Sequence, residues 1–178
     1  MQVEIKANGK SIQAEISEEQ LKELGLVEDK PKTGYERVDE DESYFVDDTI
    51  NDGYEVIGDG GTLVNNLYYN NGNYYSDRTI VENNARADRL LRRLRQWQAQ
   101  NDKPITKKDW EANTNKYKIK YNYVDNCPFV CIERNLRDPN IVYFSSNKKA
   151  EDAIEQFTDE LIWYFVEYQQ RLDEVQNG

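Results

Sequence analysis

The sequence predicts an α+β protein in which antiparallel β-sheet modules are each followed by a long helix. Residues 43–46 and 54–57 are short runs rich in aromatic and β-branched residues, with turn-forming residues between them, as in an antiparallel hairpin. Residues 116–123 alternate strictly between apolar and polar side chains, which is the period of a strand. Two long segments, 78–100 and 147–172, carry apolar residues at three- and four-residue steps, which indicates helices.

The first 26 residues predict a separate β-hairpin and short helix. Apolar and polar residues alternate on both sides of Asn8-Gly9, a strong signal for a tight hairpin turn. Ser17 and Gln20 have the spacing of a capping box, and Gly25 suits the end of the helix that follows. Residues 27–34 are typical of a linker, so we expect an N-terminal unit at 1–26 and a main α+β domain at 35–178.

In the first half of the main domain, strands are predicted at 35–38, 43–46, 54–57 and 67–69, separated by turn residues. The glycines within residues 58–61 are interpreted as a turn with no helix after it, which argues against a phosphate-binding loop. Ser76 or Asp77 is expected to cap the first long helix. Its apolar stripe is predicted to be buried and comprises Ala87, Leu90, Leu91, Leu94 and Trp97.

The arginines of this helix allow two interpretations. Arg86, Arg89 and Arg93 lie along one side and could bind phosphate or an acidic partner. The lysine face of the strand at 116–122, with Lys116, Lys118 and Lys120, could extend that patch. Alternatively, these cations pair with the acidic residues of the same chain, and the excess of acid favours this reading.

The second half predicts a three-stranded meander at 116–123, 129–132 and 141–144, followed by one long helix capped by Ser145 or Ser146. Trp163 and Val166 widen the apolar face of that helix almost all round. Either the helix is central in the fold, or Trp163 and Val166 are exposed in a monomer and build a homodimer through the C-terminal helix. Residues 74–77 and 143–146 both close a strand and open a helix. Either they belong to a duplicated ββα unit, or such short strings match by chance.

Composition limits the classes of function. Acidic residues number 34 against 23 basic ones, for a net charge of -11. This balance argues against direct, sequence-independent binding of nucleic acid and against an anionic membrane surface. The N-terminus lacks the pattern of a signal peptide, and no apolar run reaches the roughly 20 residues of a membrane span, so we expect a cytoplasmic protein.

Chemistry-bearing motifs are sparse. The chain contains no histidine, which removes the commonest general base and metal ligand. Cys127 and Cys131 are expected to be reduced thiols, because they lie too far apart along a strand for a disulfide. Carboxylate runs could hold a metal, but such runs are usually solvated. We therefore predict a protein that is not an enzyme and needs no cofactor or metal.

Acidic residues concentrate between residues 35 and 73, among several tyrosines. Carboxylates along twisted strands could imitate a nucleic-acid backbone and occupy a basic groove of another protein, with tyrosines as anchors. A merely solvated acidic surface is the alternative. The predicted partner-binding residues are Asp39, Glu40, Asp41, Glu42, Asp47, Asp48, Asp52, Tyr44 and Tyr54.

Several strings of the main domain resemble small, acidic, uncharacterised proteins encoded by phages and prophages of Gram-positive bacteria. They are KTGYERV at 32–38, GNYYSD at 72–77, ENNARAD at 82–88, IVYFSS at 141–146 and DELIWYFVEY at 159–168. No catalytic residues come with this resemblance. It implies a non-enzymatic inhibitor of a host defence nuclease or its nucleoprotein complex, with a Cas9-type anti-CRISPR as the leading expectation. The alternatives are a nucleic-acid or nucleotide-handling accessory protein that uses the arginine helix, and a self-associating structural phage protein.

Overall fold

A computed structural model describes residues 2–7, 10–25, 31–50 and 53–177. The chain divides into two units, Met1–Lys32 and Thr33–Gly178, and this division falls inside the expected linker. In the first unit, β1 (Gln2–Ala7) pairs antiparallel with β2 (Lys10–Glu15), and α1 (Glu18–Glu23) follows. Ser17 and Gln20 form the expected reciprocal capping box, in which each side chain accepts a hydrogen bond from the other residue's backbone amide. The turn at Asn8-Gly9 lies outside the described residues.

The second unit begins with a hairpin of β3 (Ser43–Asp48) and β4 (Gly53–Gly58), followed by α2 (Leu63–Asn70) and α3 (Arg78–Asn101). The strand predicted at 67–69 is wrong, because these residues belong to α2. Thr62 and Asn65 cap that helix reciprocally, so a helix does begin after the glycine-rich turn. Residues 35–38 are irregular rather than a strand.

A second hairpin follows the short helix α4 (Lys107–Glu111). It pairs β5 (Lys116–Asn122) with β6 (Cys127–Glu133), and α5 (Asn147–Gln156) and α6 (Thr158–Val166) come after it. A 3₁₀ segment at Leu172–Asn177 is the last described element. The single long helix of the prediction is therefore wrong. It breaks at Phe157, where the Thr158 hydroxyl donates to the Ile154 carbonyl at 2.7 Å and competes with the backbone ladder.

The α+β prediction, with hairpins followed by helices, is confirmed. The second unit has two halves, each with one hairpin and the helices after it, and the two halves have the same kind of single-residue bridge next to the hairpin. Tyr75 pairs with Phe45 of β3 through a single antiparallel bridge, and Phe144 pairs with Tyr117 of β5 in the same way. Both bridging residues lie two positions before a helix cap, which is Asp77 for α3 and Ser146 for α5. The third strand expected at 141–144 is thus reduced to this one bridge.

Helix α3 packs against both halves. Near its start, Ile80 and Val81 are buried with Tyr75 under the first hairpin. Further along, Leu90 and Leu94 join a core cluster with residues of the second hairpin, α5 and α6. The other buried members of that cluster are Phe144, Ala150, Ala153, Phe157 and Leu161. The predicted apolar stripe of α3 therefore packs in the second half through Leu90 and Leu94, whereas Ile80 and Val81, which precede the stripe, pack in the first half.

Candidate functional site

Residues 39–42, the acidic turn, form a tight bend immediately before β3. The Asp41 amide donates to the Asp59 carbonyl at 2.8 Å, and the Asp59 amide donates to the Glu42 carbonyl at 2.8 Å. These bonds hold the turn against the loop that follows β4. Asp41 has a φ of 73°, a left-handed conformation that aspartate tolerates better than most residues. All four residues of the turn are exposed, so four carboxylates project from consecutive positions.

A buried carboxylate organises the backbone beneath the acidic turn. Asp59 is 2% exposed and accepts hydrogen bonds from Arg37 Nε at 3.1 Å, the Gly61 amide at 3.0 Å and Tyr74 Oη at 2.9 Å. The bond from the Arg37 guanidinium holds the pKa of Asp59 below its usual value. Arg37 also donates to Asn66 Oδ1 at 2.6 Å. The nearest arginine is therefore engaged internally, and within the described ranges no lysine or arginine forms an ion pair with the acidic turn.

An exposed apolar strip lies beside the acidic turn. The Glu40 carboxylate reaches Gly61, one residue before the Thr62 cap of α2. Along the helix, Leu63, Val64 and Leu67 are 75%, 56% and 50% exposed. We call these three residues the α2 face. Sequence reasoning missed it because residues 67–69 were assigned to a strand, although the Thr62–Asn65 capping pattern could have indicated the helix.

The remaining predicted partner-binding residues do not join this surface. Tyr44 is fully buried, with its ring stacked on Tyr74 at 3.9 Å, so its predicted role as a surface anchor is wrong. Tyr54 is half-buried and packs edge-on against Phe45, and the Arg78 guanidinium lies 5.3 Å from the centre of its ring. Both tyrosines therefore have packing roles.

Asp47 and Asp48 lie at the far end of β3, roughly 16–20 Å of extended chain from the acidic turn. Asp47 is half-buried, and its burial raises its pKa against the opposing influence of Arg92. Asp48 Oδ1 accepts from the Ile50 amide at 2.9 Å. Asp52 lies outside the described residues. The acidic block thus divides between the two ends of the first hairpin instead of forming one continuous surface.

The arginine helix is largely engaged within the chain. The Arg86 guanidinium lies 3.8 Å from the centre of the Trp163 ring and 3.7 Å from Glu160. Arg93 donates to Glu160 Oε1 at 3.1 Å. Arg89 is half-buried and lies within electrostatic range of Asp47. The geometry favours internal pairing over an open phosphate-binding face at these three positions.

The lysine face of β5 is not a basic surface patch, which corrects the sequence interpretation. Lys116 and Lys118 are 1% and 7% exposed, whereas Lys120 remains exposed. Lys116 Nζ donates to the carbonyls of Thr114 and Arg134. Lys118 Nζ lies 2.5 Å from Asp138 and 3.4 Å from Glu133, and the hydrogen bond to Asp138 raises the pKa of Lys118. These two lysines are therefore buried and bonded to acceptors of the same chain.

The C-terminal helix offers less apolar surface than its sequence predicts. Trp163 is only 8% exposed because Arg86 covers it, while Val166 is 53% exposed. The premise that Trp163 is exposed in a monomer is therefore wrong. Dimerisation through this helix stays a prediction that now depends on Val166 and its neighbours.

No family model, curated protein or solved structure matches the chain. No helix in the described ranges is long and apolar enough to cross a membrane. Within those same ranges, no group of three or more carboxylate or cysteine side chains is placed to hold a metal ion. Cys127 is exposed and Cys131 half-buried, and both are free thiols.

Proposed function

We propose that this chain is a non-enzymatic inhibitor that binds a basic nucleic-acid groove of another protein through the acidic turn and the α2 face. The observation that carries the proposal is the run of four exposed carboxylates, held by the network around Asp59 and placed beside three exposed apolar side chains. The other strongly charged segments, on α3 and β5, are mostly paired internally.

Charge and apolar contact have separate roles in such a surface. The uncompensated carboxylates attract a basic partner over long range and increase the association rate. Leu63, Val64 and Leu67 supply apolar area that a groove can bury. Because Asp59 already fixes the backbone of the turn, little conformational entropy is lost when the partner binds.

The proposed partner is a host defence nuclease or its nucleoprotein complex, in keeping with the resemblance to phage and prophage proteins. A Cas9-type effector is our leading candidate, because it holds its guide–target heteroduplex in a positively charged channel. The inhibitor would then act in the cytoplasm of an infected bacterium. Occupation of that channel by the acidic turn would exclude the nucleic acid.

The test is a Cas9-type cleavage assay, preceded by capture of partners from a nuclease-treated Gram-positive lysate. The main variant combines Asp39→Lys, Glu40→Lys and Glu42→Lys, and retains Asp41 because its φ of 73° disfavours lysine. Its matched control reverses three exposed acids on α5 and α6, namely Glu151, Glu155 and Asp159. We expect the first variant to lose binding and inhibition and the control to keep both.

Two results would contradict the proposal. One is equal binding by the turn variant and its control, which would show that the acidic turn does not contact the partner. The other is the absence of any captured nuclease and of any effect on cleavage. A further variant, Leu63→Asp with Leu67→Asp, tests the α2 face, and we expect it to weaken binding while the turn is intact.

A further inference from the structure

A polar cleft lies in the second half of the chain, between the C-terminal part of α3, helix α4 and the loop at 137–143. Two neighbouring cavities of about 280 and 440 Å³ share the lining residues Arg95, Arg137 and Ile141. Gln98, Trp110 and Tyr143 line the smaller one. None of these residues belongs to the acidic turn or the α2 face.

The charge of this cleft is opposite to that of the protein. Arg95 and Arg137 have no ion-pair partner in the part of the chain that the structure describes, although acidic residues outnumber basic ones overall. Asp138 is the acidic residue of the lining, and it pairs at 2.5 Å with Lys118, which also lies 3.4 Å from Glu133. Two guanidinium groups thus line one cleft without an ion pair among the described residues, and that of Arg137 lies 5.9 Å from the centre of the Trp110 ring.

The backbone that carries each of the two arginines is fixed by hydrogen bonds. Arg95 projects from α3, and Gln98 lies one turn further along the same face of that helix. The loop that carries Arg137 is fixed by its neighbour Asp138, whose amide donates to Tyr143 Oη at 2.9 Å. Tyr143 is buried and contacts the Trp110 ring edge-on at 5.0 Å. The backbone would therefore need little ordering for both guanidinium groups to bind one ligand.

We propose that this cleft binds a small phosphorylated ligand, with its phosphate held between Arg95 and Arg137. The planar guanidinium fork matches phosphate oxygens in pairs, which makes arginine the preferred residue for such contacts. The ligand is inorganic phosphate itself or the phosphate of a mononucleotide whose base lies towards Trp110. The smaller cavity is close to the lower size limit of small-molecule sites.

This site is separate from the proposed inhibitor surface. It changes which arginines are proposed to bind phosphate. The less favoured interpretation of the sequence is that Arg86, Arg89 and Arg93 bind phosphate or an acidic partner, and two of these arginines pair with Glu160. Arg95 lies nearer the C-terminal end of α3, where it lines the cleft together with Arg137 from the 137–143 loop.

Calorimetric titration of the full chain at low salt tests the proposal, with inorganic phosphate and AMP as separate probes. We expect Arg95→Ala and Arg137→Ala each to weaken binding about tenfold or more, since each removes a charge-assisted contact. The matched control is Arg78→Ala, which loses the same charge from the same helix about 25 Å away. Trp110→Phe distinguishes inorganic phosphate from a mononucleotide as the ligand. If a base contacts Trp110, this variant should bind AMP more weakly and bind inorganic phosphate as before.

Binding of both probes with equal affinity, unaffected by Trp110→Phe, would support a phosphate site without a base contact. The proposal would be overturned if neither probe bound at millimolar concentration. It would also be overturned if Arg95→Ala and Arg137→Ala bound like the Arg78→Ala control. Binding of a single-stranded oligonucleotide alone would replace it with an extended nucleic-acid surface.

Discussion

Tyr74→Phe removes a single hydroxyl that joins two parts of the first module. Tyr74 is 2% exposed; its Oη accepts from the Val38 amide at 3.1 Å and donates to Asp59 Oδ2 at 2.9 Å. The phenylalanine ring can keep the stacking on Tyr44, which lies at 3.9 Å. The substitution therefore isolates the contribution of the two hydrogen bonds from that of packing.

The expected loss follows from the type of each bond. A bond between neutral groups contributes about 1 kcal/mol and one to a carboxylate about 1.5–3 kcal/mol. Because Asp59 keeps its bonds from Arg37 and Gly61, we expect the free energy of unfolding to fall by about 2–3 kcal/mol in total. With a urea dependence of about 2 kcal/mol per molar, the midpoint should fall by about 1 M.

Urea unfolding followed by intrinsic fluorescence measures this change. Tyr69→Phe is the matched control, since Tyr69 is 43% exposed and packs edge-on against Tyr74. We expect that control to unfold within about 0.5 kcal/mol of the unmodified chain. If Tyr74→Phe and Tyr69→Phe had the same midpoint, the network around Asp59 would not stabilise the acidic turn as we infer.

Two further predictions concern charged groups. Burial alone would raise the pKa of Glu36, but hydrogen bonds from Thr33 and Gly34 lower it from 4.5 to about 2. Its stabilisation is therefore present above pH 4.5 and lost as the pH falls towards 2, and thermal unfolding of Glu36→Gln should lack that dependence. Lys118→Met should lower the melting temperature by about 5 °C, because two carboxylates lose the cation with which they pair. Lys120 is exposed and serves as the control: Lys120→Met should change the melting temperature by about 1 °C or less. Equal effects of the two lysine substitutions would contradict the inferred role of Lys118.

Much of the fold could be predicted because the local signals agreed with the tertiary structure. The apolar stripe of α3 and its aspartate cap both indicated the helix that forms. The sequence does not predict helix α2, because its tyrosines and asparagines favour strands and turns. The start of this helix is stabilised by the reciprocal cap between Thr62 and Asn65. The break at Phe157 depends on a side-chain hydrogen bond from Thr158 that periodicity does not reveal.

The candidate site was only partly predictable, since composition locates charge along the chain but does not determine burial. The acidic turn is exposed as expected, yet Tyr44 from the same segment is in the core. Alternation along β5 correctly separated two faces, but Lys118 is buried because Asp138 and Glu133 come from outside that strand. Such long-range partners are set by tertiary packing.

The 24-residue helix α3 couples the unfolding of the two halves of the second unit. Its first turns complete the core of one half, and Leu90 and Leu94 complete the core of the other. Without α3, each half would lack part of its buried core. We therefore expect the two halves to unfold in one cooperative transition. Cleavage of the connection at 102–106 would leave α3 with the first hairpin, so the second fragment would lack Leu90 and Leu94 and should regain its native fold only by complementation with the first fragment.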